Sequence, residues 1–355
     1  MLRWARERPC PYPWDASTCA AAAKGGHLQV LRWARLNGCP WEEAAEHFYA
    51  NCCALTAQGG HFEVLRWLRE HDCPWGSVTC SGAAKGGHLE VLVWARLNGC
   101  PWDDEDDDDL NCCALAAEGG HLDMLRWLWE HDCRWGYGTC SAAAEGGHLE
   151  VLVWAREHGC PWNEGTCARA AEKGHLELLQ WARAHGSPWD DDTFSNAAVG
   201  GHLAVLQWAR AHGCPWDTLQ CEAAASSGHV EVLQWLRGQD CQWDAAETRR
   251  TAAWHGQLEV LRWFDEQGGE VGGGWDQAMT VCEAAAENGH LEVLQWLREH
   301  HCPWSAATCE SAARLMHLEV LQWAREHGCP WNKHNCELAS WYYPDILAWV
   351  RAQPE

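Results

Sequence analysis

Apolar residues in this chain return at helical spacing and not in strict alternation. After His175 come Leu176, Leu178, Leu179 and Ala182, with Trp181 widening the stripe. That spacing predicts an amphipathic helix with a broad buried face. Glu177 sits in its first turn and Arg183 and His185 in its last, as the helix dipole favours. Gly186 ends it and Pro188 prevents its continuation. Ahead of it, Cys167 to Lys173 predicts a shorter helix with a small-residue face. Thr166 is placed to cap that helix, and Gly174 stands where a left-handed terminator is wanted. Ala170 and Ala171 leave room for a neighbour to approach closely.

The unit repeats. The histidine place is filled by His27, His61, His88, His121, His148, His175, His202, His229, Gln257, His290 and His317. Its steps are 34, 27, 33, 27, 27, 27, 27, 28, 33 and 27 residues. A fixed period in this range marks a stacked array. One helical pair cannot bury so wide a stripe, so each unit needs a like unit on either side. Residues 51–101 and 111–161 are near copies, which indicates growth by duplication of a two-unit block.

The run A-A-x-x-G-H-L-E-V-L resembles the core of the ankyrin repeat. Its best matches are Ala142 to Leu152, Ala170 to Leu179 and Ala284 to Leu294. The resemblance implies an all-α, ankyrin-like helix-turn-helix solenoid, a superhelix of about twelve repeats. Cys stands in the place of the family's first-helix Leu, and Trp in that of its first second-helix Leu. The units are shorter than the family's usual ~33 residues. The deficit falls where the family places its β-hairpin finger, so most units are expected to lack one. Short, Trp-rich and Cys-rich repeats of this kind resemble those of giant viruses, algae and oomycetes.

One solenoid over residues 1–355 is expected. It opens with a truncated unit at 1–26 and continues as an array over 27–335. Insertions fall near 42–50, 103–109 and 269–274. A degenerate capping unit closes it at 336–355, with Tyr343 in the histidine place.

The chain carries 50 acidic residues against 26 Lys and Arg, a formal net charge of −24. That charge argues against nucleic acid as a partner, because phosphate recognition needs clustered Lys and Arg. It keeps the protein soluble and would attract a basic partner. No apolar stretch is long enough for a membrane span, and the start of the chain lacks a secretory signal's apolar core. An intracellular, cytoplasmic location is expected, with the nucleus or a host cell as variants of it.

The 22 cysteines fall mostly into two series. One lies in the first helix, from Cys19 to Cys336, and the other beside the Pro-Trp turn, from Cys10 to Cys329. Phe194, Arg249 and Ser187 interrupt the series without loss of the unit. Small packed hydrophobes are the expected role. Structural zinc wants closer ligand pairs, and disulfide scaffolds belong to short secreted chains. So many equivalent histidines indicate a structural tie from each unit to its neighbour, since a catalytic His is normally single. Most of the 28 tryptophans belong to the second helix or the Pro-Trp turn and are expected to pack. Trp129 and Trp254 stand outside the template. The Asp103–Asp109 run lacks the spaced pattern of a calcium loop and reads as a solvated loop able to meet a basic peptide.

The function expected from this pattern is a protein-protein interaction scaffold or adaptor, binding on the concave surface of the array. No catalysis, cofactor or metal is expected, and the chain is expected to be monomeric. Partner-binding candidates are Asp103, Asp104, Asp106, Asp107, Asp108, Asp109, Trp129, Arg169, Asn196, Glu222, Arg249, Arg250, Trp254, Glu283 and Glu310. Those on or near the first helix are polar and variable among units. Alternatives are a substrate-recognition adaptor of a ubiquitin ligase, a nucleic-acid-binding helical array, and a metal or redox buffer using the cysteines. Met316 replaces the glycine before His317 and is expected to strain that helix end.

Overall fold

The computed structural model describes residues 16–41, 51–101, 111–217, 219–239, 241, 244–267 and 279–354. The insertions near 42–50, 103–109 and 269–274 lie outside the described residues. Among the described residues there are twenty-four α-helices and no strands. The helices alternate between a first and a second helix, so the protein is an all-helical helix-turn-helix array. The chain divides into two compact units, Met1–Ala170 with Glu177–Pro188, and Ala171–Leu176 with Trp189–Glu355.

Inside each unit the first helices pack on one another in sequence. Cys52–Gln58 lies against Ser77–Gly86, which lies against Cys112–Glu118. In the other unit the same stacking runs from Asp191–Val199 through Leu219–Ser226 and Ala245–Trp254 to Met279–Glu287 and beyond. First helices also pack on their own second helices, such as Phe62–Glu70 on Cys52–Gln58. First helices can approach closely because their touching residues are small. A Cβ on Gly82 would meet the carbonyl oxygen of Ala54 at 2.5 Å, so that contact depends on a glycine.

The core is the expected stripe. Val64, Leu65 and Leu68 are buried, as are Val91, Leu92 and Ala95, and Leu178, Leu179 and Ala182. First-helix alanines and cysteines close it from the other side, among them Cys80, Ala83 and Ala84. Burying one Leu or Val side chain stabilises by roughly 1.5–3 kcal/mol, and the stripe recurs in every described unit.

Helix starts differ from the expectation at Thr166. The first helix of that unit runs Glu164–Glu172, beginning before Thr166. The Asn163 side chain accepts the Gly165 N–H at 3.1 Å, and Thr166 is buried inside the helix. Where Asn is the N-cap, it caps well: Asn51 and Asn111 each accept the N–H three residues on, at 2.7 Å. Met316 takes φ +69°, the left-handed region that its glycine counterparts use.

Candidate functional site

Two surfaces follow from the stacking, an outer one along the second helices and a polar one along the first.

The outer surface is an aromatic ladder. In several repeats an arginine near the end of the second helix lies over the tryptophan of the following Pro-Trp turn. Arg35 Cζ is 4.0 Å from the Trp41 ring centre, Arg69 is 4.1 Å from Trp75, and Arg325 is 4.2 Å from Trp331. The same guanidinium donates to the carbonyl before the turn, as Arg69 does to Cys73 at 2.8 Å. The turn tryptophan then meets the next second-helix tryptophan edge-on, Trp75 against Trp94 at 5.8 Å and Trp304 against Trp323 at 5.9 Å. A histidine four residues later stacks on that ring, His327 on Trp323 at 4.3 Å, with its Nδ1 2.8 Å from the Trp323 carbonyl. Most of these tryptophans are half-buried; Trp67 and Trp263 are buried outright. Their rings are therefore committed to each other and to fixed cations, at contact geometries that favour aromatic and cation–π attraction. Trp129 joins the ladder from outside the template. It is 42% exposed, 6.2 Å from Trp154 and 4.9 Å from His158, edge-on to both.

The histidine places join successive units. His61 Nε2 lies 3.1 Å from the Lys24 carbonyl, and His290 Nε2 lies 2.9 Å from the Trp254 carbonyl. Gln257 does the same work, its Nε2 donating to the Ser226 carbonyl at 2.8 Å. Each of these carbonyls belongs to the last residue of a first helix, where intrahelical donors run out. The tie is thus to a helix end of the preceding unit.

The first-helix surface carries most of the remaining candidates. Arg169 is exposed, with its Nε 3.8 Å from Glu145. Asn196 is half-buried. Glu222 is half-buried; burial and then the charge of Glu247 raise its carboxyl above the usual range, with Arg250 opposing. Arg250 pairs with Glu247, donating from Nε at 2.8 Å, and that hydrogen bond lowers the Glu247 carboxyl. Glu283 accepts from the Ser305 hydroxyl at 2.8 Å, and Glu310 accepts from the Asn335 amide at 2.8 Å. Both therefore bridge to the next first helix as well as facing outward. Trp254 is half-buried and contributes its carbonyl to His290. Asp103, Asp104, Asp106, Asp107, Asp108 and Asp109 lie outside the described residues.

Arg249 departs from the rest. It is 5% exposed, with its guanidinium carbon 5.0 Å from the Phe264 ring centre, so it packs inward instead of lining an open face. It fills a cysteine place, and Phe264 fills a place held by Ala or Leu in other units. Desolvation weakens its hold on the proton.

The sequence reading missed a cavity of about 280 Å³ on the first-helix surface. Ala54, Gln58, Val78, Ser81, Gly82, Lys85 and Leu115 line it. Its signal was Gly82, which stands where other units carry a larger residue and opens the floor between two helices. Lys85 Nζ sits 3.9 Å from Glu118 and gives the rim a charged pair. Among the described residues, no group of three or more His, Cys, Asp and Glu side chains could hold a metal ion, and no helix is long and apolar enough to cross a membrane.

Compared with known proteins, the chain matches no family model and no curated protein.

Proposed function

We propose that this chain is a protein-binding scaffold or adaptor of the ankyrin-repeat class, working as a monomer in an intracellular, cytoplasmic setting. The single observation that carries the reading is a division of labour among positions. The histidine tie, the aromatic ladder and the buried stripe recur unit after unit. The outward first-helix positions vary more: the place after the first-helix cysteine holds Ser141, Arg250 or, in several repeats, Glu, as at Glu222, Glu283 and Glu310, and the next place holds residues as different as Arg169 and Asn196. A constant frame with a varied surface is how a repeat array encodes a particular partner through many modest contacts.

The partner is a protein with a basic segment. The net charge of −24 favours one, and the Asp103–Asp109 run offers it a concentrated counter-charge. The cavity beside Lys85 would take an apolar side chain of that partner, its lining being mostly small or apolar residues.

Affinity capture with the full chain, followed by mass spectrometry, tests this against two variants. One reverses charge at Asp103, Asp104, Asp106, Asp107, Asp108 and Asp109; the other reverses it at Arg169, Glu222 and Glu310. The expected result is a defined protein held by the wild type, weakened by either variant, with helical content unchanged. Equal recovery by all three chains, or retention of RNA in place of protein, contradicts the reading.

A further inference from the structure

We propose that eight pairs of cysteines, each 20 residues apart within one repeat, are disulfide-forming sites closed by a peroxide-class oxidant. In each pair one sulfur comes from the first helix and the other from the turn after the second helix. Cys19 and Cys39 sulfurs lie 3.1 Å apart, Cys113 and Cys133 2.9 Å, and Cys140 and Cys160 3.3 Å. In the second compact unit, Cys221 and Cys241 lie 3.0 Å apart, and Cys282 and Cys302 3.4 Å. The thiols of Cys80 and Cys100, and of Cys309 and Cys329, are also hydrogen-bonded to each other, and Cys73 is hydrogen-bonded to both Cys52 and Cys53. All of these cysteines stand as thiols and not as disulfides.

Packing explains one buried thiol per layer, but it does not require two that face each other sulfur to sulfur. The separations exceed a disulfide's bond length of about 2 Å by roughly 1 Å, so closing needs a local shift of that size. The chemistry balances as two thiols and one peroxide giving one disulfide and two waters. One sulfur attacks a peroxide oxygen and becomes a sulfenic acid, releasing water. The second sulfur displaces water from it, forming the S–S bond. The hydrogen bond with the partner thiol, and then burial, push most first-helix thiols far above their usual range, while the same hydrogen bond lowers the turn thiols of Cys100, Cys241 and Cys329. Most of these sulfurs are buried, so an oxidant reaches them slowly, through a transient opening of the turn, which separates these sites from reactive surface cysteines. Once closed, each bridge ties a first helix to the turn beyond its second helix, cross-linking the repeat across itself.

Repeats in which one cysteine of the pair is replaced act as internal controls. Cys167 faces the Ser187 hydroxyl at 3.4 Å, where every pair above has a second sulfur. Cys214 has lost its first-helix counterpart to Phe194, and Arg249 occupies another such place.

The test uses the full folded chain, incubated with hydrogen peroxide, alkylated under denaturing conditions and mapped by non-reducing peptide mass spectrometry. The expected result is up to eight links, all joining residues 20 apart, with two hydrogens lost per link. Cys10, Cys52, Cys112, Cys167, Cys214 and Cys336 remain available for alkylation. Ser187→Cys adds one further link, from Cys167 to position 187. The proposal is overturned by links between different repeats or different chains, by sulfinic acids at the paired positions, or by thiols that stay unlinked in peroxide. A Ser187→Cys chain in which Cys167 stays alkylatable while the eight pairs close also counts against it, because the same geometry would then give different chemistry.

Discussion

The Nε2 atom of His229 lies 2.8 Å from the carbonyl oxygen of Val199, thirty residues earlier. Val199 ends the first helix of the preceding repeat, so its carbonyl has no helical donor. The bond therefore supplies what one repeat lacks from the start of the next. His229→Ala should cost about 1 kcal/mol in urea unfolding, the scale of one net hydrogen bond. His229→Gln should recover more than half of that, because Gln257 already makes the equivalent bond to Ser226 at 2.8 Å. Equal losses for the two variants would refute a hydrogen-bonding role.

Met316 holds a left-handed backbone with a side chain attached. At the counterpart Gly289, a Cβ would collide with the ring of His317, the histidine of the next repeat. Beyond Met316 the next repeat has Tyr343 in that place, so a side chain is tolerated and backbone strain remains. Met316→Gly should stabilise the chain by about 1 kcal/mol, the ordinary cost of a non-glycine residue in that conformation. Thermal unfolding checks it; an unchanged or lower midpoint would show that the Met316 side chain contributes packing.

Asn51 caps its helix by accepting the Ala54 N–H at 2.7 Å. Asn51→Ala should lose about 1 kcal/mol, read as a lower urea midpoint. Gly76 caps the next first helix without a side-chain bond, so Gly76→Asn is its counterpart and should not lower the midpoint.

Trp208 is stacked on His212 at 4.4 Å and meets Trp189 edge-on at 5.7 Å. Trp208→Ala should destabilise by about 2 kcal/mol, less than a fully buried tryptophan because part of the ring faces solvent. Trp208→Phe should fall between the two. A neutral Trp208→Ala, with partner binding lost, would reassign the ladder from packing to recognition.

Much of this was legible in the sequence, and the gaps have physical reasons. Spacing alone placed the stripe of Leu178, Leu179 and Ala182, the left-handed glycines and the strain at Met316, because each depends on local geometry. The histidine tie was legible as a role, but its acceptor was not, since the Val199 carbonyl comes from a neighbouring repeat. Thr166 misled because threonine both caps helices and fills small buried gaps; here it is buried, and Asn163 binds the first free N–H. Arg249 misled because polarity and variation suggested a surface position. Its place belongs to a core cysteine, and the compensating change, Phe264, lies on another helix. The paired sulfurs were invisible because their contact joins residues 20 apart through the fold.

Gly201 and His229 offer the most direct measurement of contact between neighbouring repeats. Gly201 has φ +73°, and a Cβ there would meet His229 Nδ1 at 2.5 Å. Urea unfolding of Gly201→Ala, His229→Ala and the double variant closes a thermodynamic cycle. The single glycine variant should be destabilised by backbone strain and by the collision together, while in the His229→Ala background the collision is gone. Gly201→Ala should cost about 1 kcal/mol less in that background. Strictly additive losses would mean that the two repeats do not bear on each other at this joint.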